Sequence, residues 1–153
     1  MSLTIWRAAQ QDLEAAYKIV KEYYEAAHVL ARDSPSEFAQ LYFPHGAGVW
    51  LAQKEDSIIG CIALRALPEH EAIGEVKRLY VRPAHRKGGV AQALLDDLEA
   101  YAARAGYGWL YLDSAPGMDD AVRFYRRNGY EECPRYNQNP QAVIFLRKKI
   151  SLT

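Results

Sequence analysis

"AIGEVKRLYVRPAHRKGGVAQALLDDLEA", residues 72–100, decides the fold. Its first part, 72–82, is an extended run carrying Ile, Val, Leu and Tyr that Pro83 stops. From Gly89 to about Arg104 the period becomes helical. Val90, Leu94, Leu98, Tyr101 and Ala105 fall on one stripe, while Asp96, Asp97, Glu99 and Arg104 fall outside it. Gly106 stands where a helix C-terminus favours glycine. "GWLYLDS" (108–114) then reads as a compact apolar strand. Strand, helix and strand in succession predict a right-handed crossover and one locally parallel strand pair.

Outward from this unit the elements continue. "TIWRAA" (4–9) reads as a strand, and Asp12 as the cap of a helix running to roughly Leu30. Pro35 breaks that helix, and 36–43 suit a short second one. "GVWLAQKEDSIIGCIALRAL" (48–67) reads as two strands joined at Lys54 to Ser57. Towards the C-terminus, 118–130 read as a helix closed by Gly129, and 142–150 as a last strand. The fold class is α/β of the mixed α+β kind. A mostly antiparallel sheet of roughly six to seven strands is flanked by about four helices. No repeat or low-complexity linker divides the chain, so one domain over 1–153 is expected.

Composition narrows the function classes. Half of the 153 residues are hydrophobic, a quarter are charged, and the formal net charge is zero. Such a chain has no global basic field to hold nucleic acid, so any anion site must be local. Cys61 and Cys133 are far apart, which argues for a reducing compartment, the cytoplasm. The four histidines show no metal-ligand spacing, so no metal is expected. No signal peptide and no membrane-spanning run are read.

The stretch between strand and helix supplies a local anion site. Helix N-termini leave N–H groups unpaired and carry partial positive charge. A phosphate fits there without a dedicated side chain. Gly88 and Gly89 keep the approach clear, and Arg82, Arg86 and Lys87 add charge beside it. The same residues also read as an ordinary turn with solvated basic side chains. GxxxxGK[ST] and GxGxxG are both absent, which sets aside P-loop and dinucleotide folds.

"RKGGVA", Arg86-x-x-Gly89-x-Ala91, resembles the [Q/R]-x-x-G-x-[G/A] loop of the GCN5-related N-acetyltransferases, the GNAT superfamily. "VKRLYVRP" resembles the strand that carries this loop. "AVRFYRRNGYEE" resembles the family helix with a tyrosine four residues before a glycine, here Tyr125 and Gly129. The resemblance covers nearly the whole chain and implies an enzyme that moves an acetyl group from acetyl-CoA to a primary amine by direct attack in a ternary complex. It implies that loop residues Arg86, Lys87, Gly88, Gly89, Val90 and Ala91 cradle the pyrophosphate. It also implies that the backbone of Leu79, Tyr80 and Val81 pairs with the pantetheine arm.

Amine acetylation needs a deprotonated amine, a polarised carbonyl and a protonated leaving thiolate. Tyr125 matches the family tyrosine near the CoA sulfur, which implies a general acid; by itself it also reads as a core aromatic. Glu75 stands four residues before Leu79, where some members carry a base acting directly or through water. Its other reading is a strand charge paired with Lys77 or Arg65. Many members have an asparagine near the start of the tyrosine helix; Met118 stands there, followed by Asp119 and Asp120, so that contact is not carried over. On the acceptor side, Tyr23, Tyr24 and His28 could form a wall, with Tyr42, Phe43 and Tyr136 nearby. Glu22 and Glu25 could attract a cation; core packing and solvated charge are the other reading. A small-molecule or peptide amine is the expected partner, and the last strands offer an edge for a homodimer. Two other functions are weighed: a non-catalytic acyl-CoA sensor on the same fold, and a nucleotide-binding module, which the neutral charge opposes.

Overall fold

The structure is a computed structural model and describes residues 2–150. Its seven strands form one sheet, and their ranges are β1 Leu3–Arg7, β2 Gly48–Lys54, β3 Ser57–Leu67, β4 His70–Val81, β5 Trp109–Ser114, β6 Glu131–Glu132 and β7 Ile144–Lys149. The spatial order is β1-β2-β3-β4-β5-β7-β6, with every neighbouring pair antiparallel except β4 and β5. The helices are α1 Leu13–Ala26, α2 Pro35–Tyr42, α3 Val90–Arg104 and α4 Asp119–Arg127. The mixed, mostly antiparallel sheet and the single parallel pair are as expected.

Both faces of the sheet are covered, which explains near-continuous apolar strands. On β2, Val49 and Leu51 pack towards α1 and α2, where Phe38 and Tyr24 are buried. Trp50 and Ala52, one residue out of phase, pack towards α3 with Leu94, Leu95 and Leu98. The α3 stripe is therefore shifted slightly from the expected one: Leu95 and Ala102 are buried with it.

Several element ends differ from the sequence expectation for local reasons. The first strand stops at Arg7 and not at Ala9. Helix α1 stops at Ala26 because His28 takes a left-handed φ of 53°, and Leu30 is left exposed. Asp12 does not cap α1. Its Oδ2 accepts from the Ala9 N–H at 2.8 Å and from Trp6 Nε1 at 3.2 Å, tying the helix start back to β1. Helix α2 starts with a capping box in which Ser34 and Glu37 satisfy each other's N–H, and Pro35 sits where no N–H is needed. Helix α4 ends at Arg127, and the last strand spans only Ile144–Lys149.

The sheet is split at its centre. β4 and β5 pair over three positions only, Ile73 with Trp109, Gly74 with Leu110 and Glu75 with Tyr111. Beyond Glu75, β4 runs on to Val81 along β3, while β5 runs on to Ser114 along β7. A bulge follows the parting on β4. The β3–β4 register passes from Ala63↔Lys77 to Cys61↔Tyr80, so Ile62 faces both Arg78 and Leu79. Arg78 takes a left-handed φ of 62° to make the bulge, which bends and twists the strand. Gly60 fits opposite: a Cβ there would lie 2.8 Å from the Tyr80 carbonyl oxygen.

The tyrosines make a pH prediction. Burial pushes the phenols of Tyr42, Tyr125 and Tyr130 above their ordinary value. Unfolded tyrosines ionise near pH 10. A raised folded pKa stabilises fully below that pH, and the stability is lost as pH rises above it. Unfolding free energies from denaturant titration should hold from pH 7 to 9 and fall above about pH 10, by about 1.4 kcal/mol per pH unit for each such phenol. An unfolding free energy unchanged at about pH 11 would remove these groups from the buried core.

Candidate active site: an opened seam beside an uncapped helix

Helix α3 begins without a side-chain cap. Its N-cap is Gly89 in the left-handed region, φ 84°, and Lys87 is left-handed too, φ 67°. Alternating backbone hand of this kind gathers N–H groups into an anion-binding concavity. A Cβ added to Gly89 would meet nothing within 4 Å, so the space before the helix is open. Gly89, Val90 and Ala91, with Arg86 and Lys87, line a cleft of about 1030 Å³. That is at the upper end of the roughly 300–1,000 Å³ typical of cofactor sites. Leu79, Tyr80 and Val81 form its inner wall, and Met118, Ala121 and Phe124 face them from α4 and the turn before it. Gly88 is not on this wall. The charge of Arg82, expected beside the loop, is instead committed to Glu22 through bonds of 2.9 and 2.7 Å. Arg86 stays at the cleft, its Nε donating to the Val81 carbonyl at 2.7 Å.

The cleft continues inward. A smaller cavity of about 100 Å³ fills the opened seam between Lys77, Arg78 and Leu79 of β4 and Asp113 and Ser114 of β5. Tyr23, Ala27, Leu79, Met118 and Ala121 line both spaces, so they join. Tyr125 lines the inner cavity from α4. It is 6% exposed and packs edge-on against Phe124 and Tyr130, each ring 5.3 Å away. Burial holds its phenol above the ordinary pKa, with Tyr23 and Glu99 adding smaller pushes in the same direction. The hydroxyl is therefore a protonated donor throughout the neutral range.

Glu75 lies behind this cavity. It is 1% exposed, the only charged residue fully buried among those described. Arg65 Nε reaches Oε1 at 3.1 Å and Lys77 Nζ stands 3.9 Å from it, the two pairings read from the sequence. Tyr136 donates to Oε2 at 2.8 Å and Asn137 at 3.3 Å. Asn137 also donates to Asp113 Oδ2 at 2.7 Å, and Asn139 to the same oxygen at 3.3 Å. Lys77 and Asp113 line the cavity, whereas Glu75 reaches it through them and Asn137. Sequence reasoning passed over Asp113 and the asparagines. The available signal was one acidic residue inside the otherwise apolar strand "WLYLDS".

The expected acceptor wall is divided. Tyr23 lines both spaces, but Tyr24 and Tyr42 are buried in the core. Tyr24 exchanges hydrogen bonds with Asp33, and Phe43 packs on Phe38 at 5.9 Å. Glu22 and Glu25 do not await a cation, because Arg82 and Arg32 already neutralise them. The main chain at His28 and Leu30 is strapped to the loop before β7: Gln141 Nε2 donates to the His28 carbonyl and its Oε1 accepts from the Leu30 N–H.

The site therefore combines a split mixed sheet, an uncapped helix at its mouth and a buried, protonated phenol in the split. Residues 13–130 match the acetyltransferase (GNAT) family, and the chain belongs to that family. An uncharacterized N-acetyltransferase of Schizosaccharomyces pombe is 29% identical over 71% of this chain and 66% of its own. An uncharacterized N-acetyltransferase of Bacillus subtilis is 30% identical over 65% of this chain and 68% of its own. The chain thus spans about two thirds of the length of these relatives. A GNAT-family acetyltransferase of Staphylococcus aureus shares the fold, with TM-score 0.81, 18% identity and coverage of 97% and 99% of the two chains. So does the PaiA N-acetyltransferase of Thermoplasma acidophilum, solved with coenzyme A, with TM-score 0.73, 18% identity and the same coverage. Among the described residues no helix is long and apolar enough to cross a membrane, and no cluster of three or more His, Cys, Asp or Glu could hold a metal ion.

Proposed function

We propose that the protein acetylates a primary amine, taking the acetyl group from acetyl-CoA within a ternary complex. The observation that carries this reading is the seam, where β4 leaves β5 after Glu75 and Leu79, Tyr80 and Val81 border the outer cleft with no strand added beside them. An extended, amide-bearing arm would add there as a strand, along Leu79 to Val81. The α3 N-terminus with Arg86, Lys87, Gly89, Val90 and Ala91 would take the pyrophosphate, with Gly88 shaping the loop. A fold neighbour from Thermoplasma acidophilum solved with coenzyme A supports the choice of ligand. When bound, acetyl-CoA supplies a thioester: the amine nitrogen bonds to its carbonyl carbon, the carbon–sulfur bond breaks, the ammonium gives up a proton and the thiolate gains one.

The residues of this chain handle the protons. Tyr125 donates to the thiolate. Glu75 serves as base at one remove, since Lys77 and Asn137 stand between it and the cavity. The unpaired cysteines fit the cytoplasm for this chemistry. The deciding experiment titrates acetyl-CoA and ATP calorimetrically and then follows CoA release over an amine library. Acetyl-CoA binding with amine-dependent CoA release is expected. Binding without release for any amine would instead favour the acyl-CoA sensor. Glu75→Gln should lower kcat while acetyl-CoA affinity, read by calorimetry, holds. An unchanged kcat in a folded variant would take the base role from Glu75.

A further inference from the structure

Lys77 and Asp113 face one another across the opened seam without meeting. The parallel register sets Glu75 opposite Tyr111. Two residues further along each strand, on that same face, stand Lys77 and Asp113, and both line the inner cavity. Among the described residues, the ion pair of Lys77 is with Glu75, at a loose 3.9 Å. Its side chain is only 16% exposed. Arg78 lies beside Lys77 on the same wall. Arg78 reaches Asp33 at 3.3 Å but leaves its buried Nε without a partner. On the other strand, both hydrogen bonds to Asp113 fall on Oδ2, from Asn137 and Asn139, and among the described residues none falls on Oδ1.

We propose that this parted ion pair reads a zwitterion: the acceptor is an α-amino acid, its carboxylate on the Lys77 ammonium and its ammonium on Asp113. The proposal rests on the acetyltransferase reading of the same site. A desolvated charge without a close partner is costly, so a ligand that matches both charges gains most. A simple amine would satisfy Asp113 and leave Lys77 unmatched. A diamine would bring its second charge against Lys77 and Arg78. A peptide N-terminus would offer Lys77 an amide where an amino acid offers a full charge. The cavity of about 100 Å³ has room for several water-sized groups, the scale of an amino-acid head.

The test compares amino acids with their own carboxamides and decarboxylated amines as acceptors, by CoA release and by calorimetry on the CoA-loaded protein. Amino acids should lead in kcat/KM by about 10- to 100-fold, the scale of one charge-assisted contact. Lys77→Met should bring the ratio of amino acid to carboxamide close to one. Preference for carboxamides or plain amines in the wild type would overturn the proposal while leaving the acetyltransferase reading standing. So would a Lys77→Met variant that keeps the wild-type ratio. Amino-acid binding that favours the free carboxylate, without CoA release, would keep the zwitterion site and sink the transferase reading.

Discussion

Tyr125→Phe should lower kcat for acetyl transfer by about 100-fold or more, the scale of losing a positioned general acid. The phenylalanine keeps the ring contacts with Phe124 and Tyr130, so the variant tests the hydroxyl alone. Burial raises the phenol pKa, which makes the group a reluctant acid but one still protonated when the thiolate forms. The same environment predicts that no basic limb of the kcat profile belongs to Tyr125 in the neutral range. Turnover within a few-fold of wild type would return Tyr125 to the role of a core aromatic. Calorimetry with acetyl-CoA on the same variant separates a chemical defect from a binding one. A fall in kcat at unaltered affinity is the signature of proton donation.

Much of this site rests on signals that are local in the chain. Pro83, Gly89 and Gly106 punctuate the strand and helix around the loop, and each acts within a few residues. The alternating faces of β2 and β3 are likewise written in adjacent positions. The split is a different kind of feature. It shows in the bulge at Arg78 and Leu79 and in the end of β4–β5 pairing at Tyr111, while β5 stays paired with β7 along its whole length. Pairings between distant strands set both, and no short window contains them. Glu75 shows the same division. Its partners Arg65 and Lys77 were legible because they lie on the same hairpin. Tyr136 and Asn137 arrive from 61 and 62 residues away, in a loop with no period to read. Asp12 erred in the opposite direction: a capping residue type was in place, but Trp6 and the Ala9 N–H took its oxygen first.

Gly89→Asp should separate stability from binding. The N-cap of a 15-residue helix is a position where Asp is ordinarily favoured, both for its oxygen and for its charge against the helix dipole. Gly89 provides neither, and α3 is left with unpaired N–H groups at the mouth of the cleft. Aspartate tolerates the left-handed region better than most residues, and its Cβ would meet nothing within 4 Å. The left-handed φ of 84° still strains a residue with a Cβ, so the variant should unfold a few degrees below wild type. Acetyl-CoA affinity should meanwhile fall by about 100-fold or more, because like charges about 4 Å apart at an effective dielectric of about 20 repel by about 4 kcal/mol. Gly89→Asn, of nearly the same shape but uncharged, should lose much less. Equal affinity for Asp and Asn variants would mean that the pyrophosphate does not rest at this helix. A large drop in unfolding temperature for both would assign Gly89 to backbone conformation alone. The expected pattern, a stable fold with an emptied cofactor site, would mean that this helix is left uncapped because its cap is the ligand.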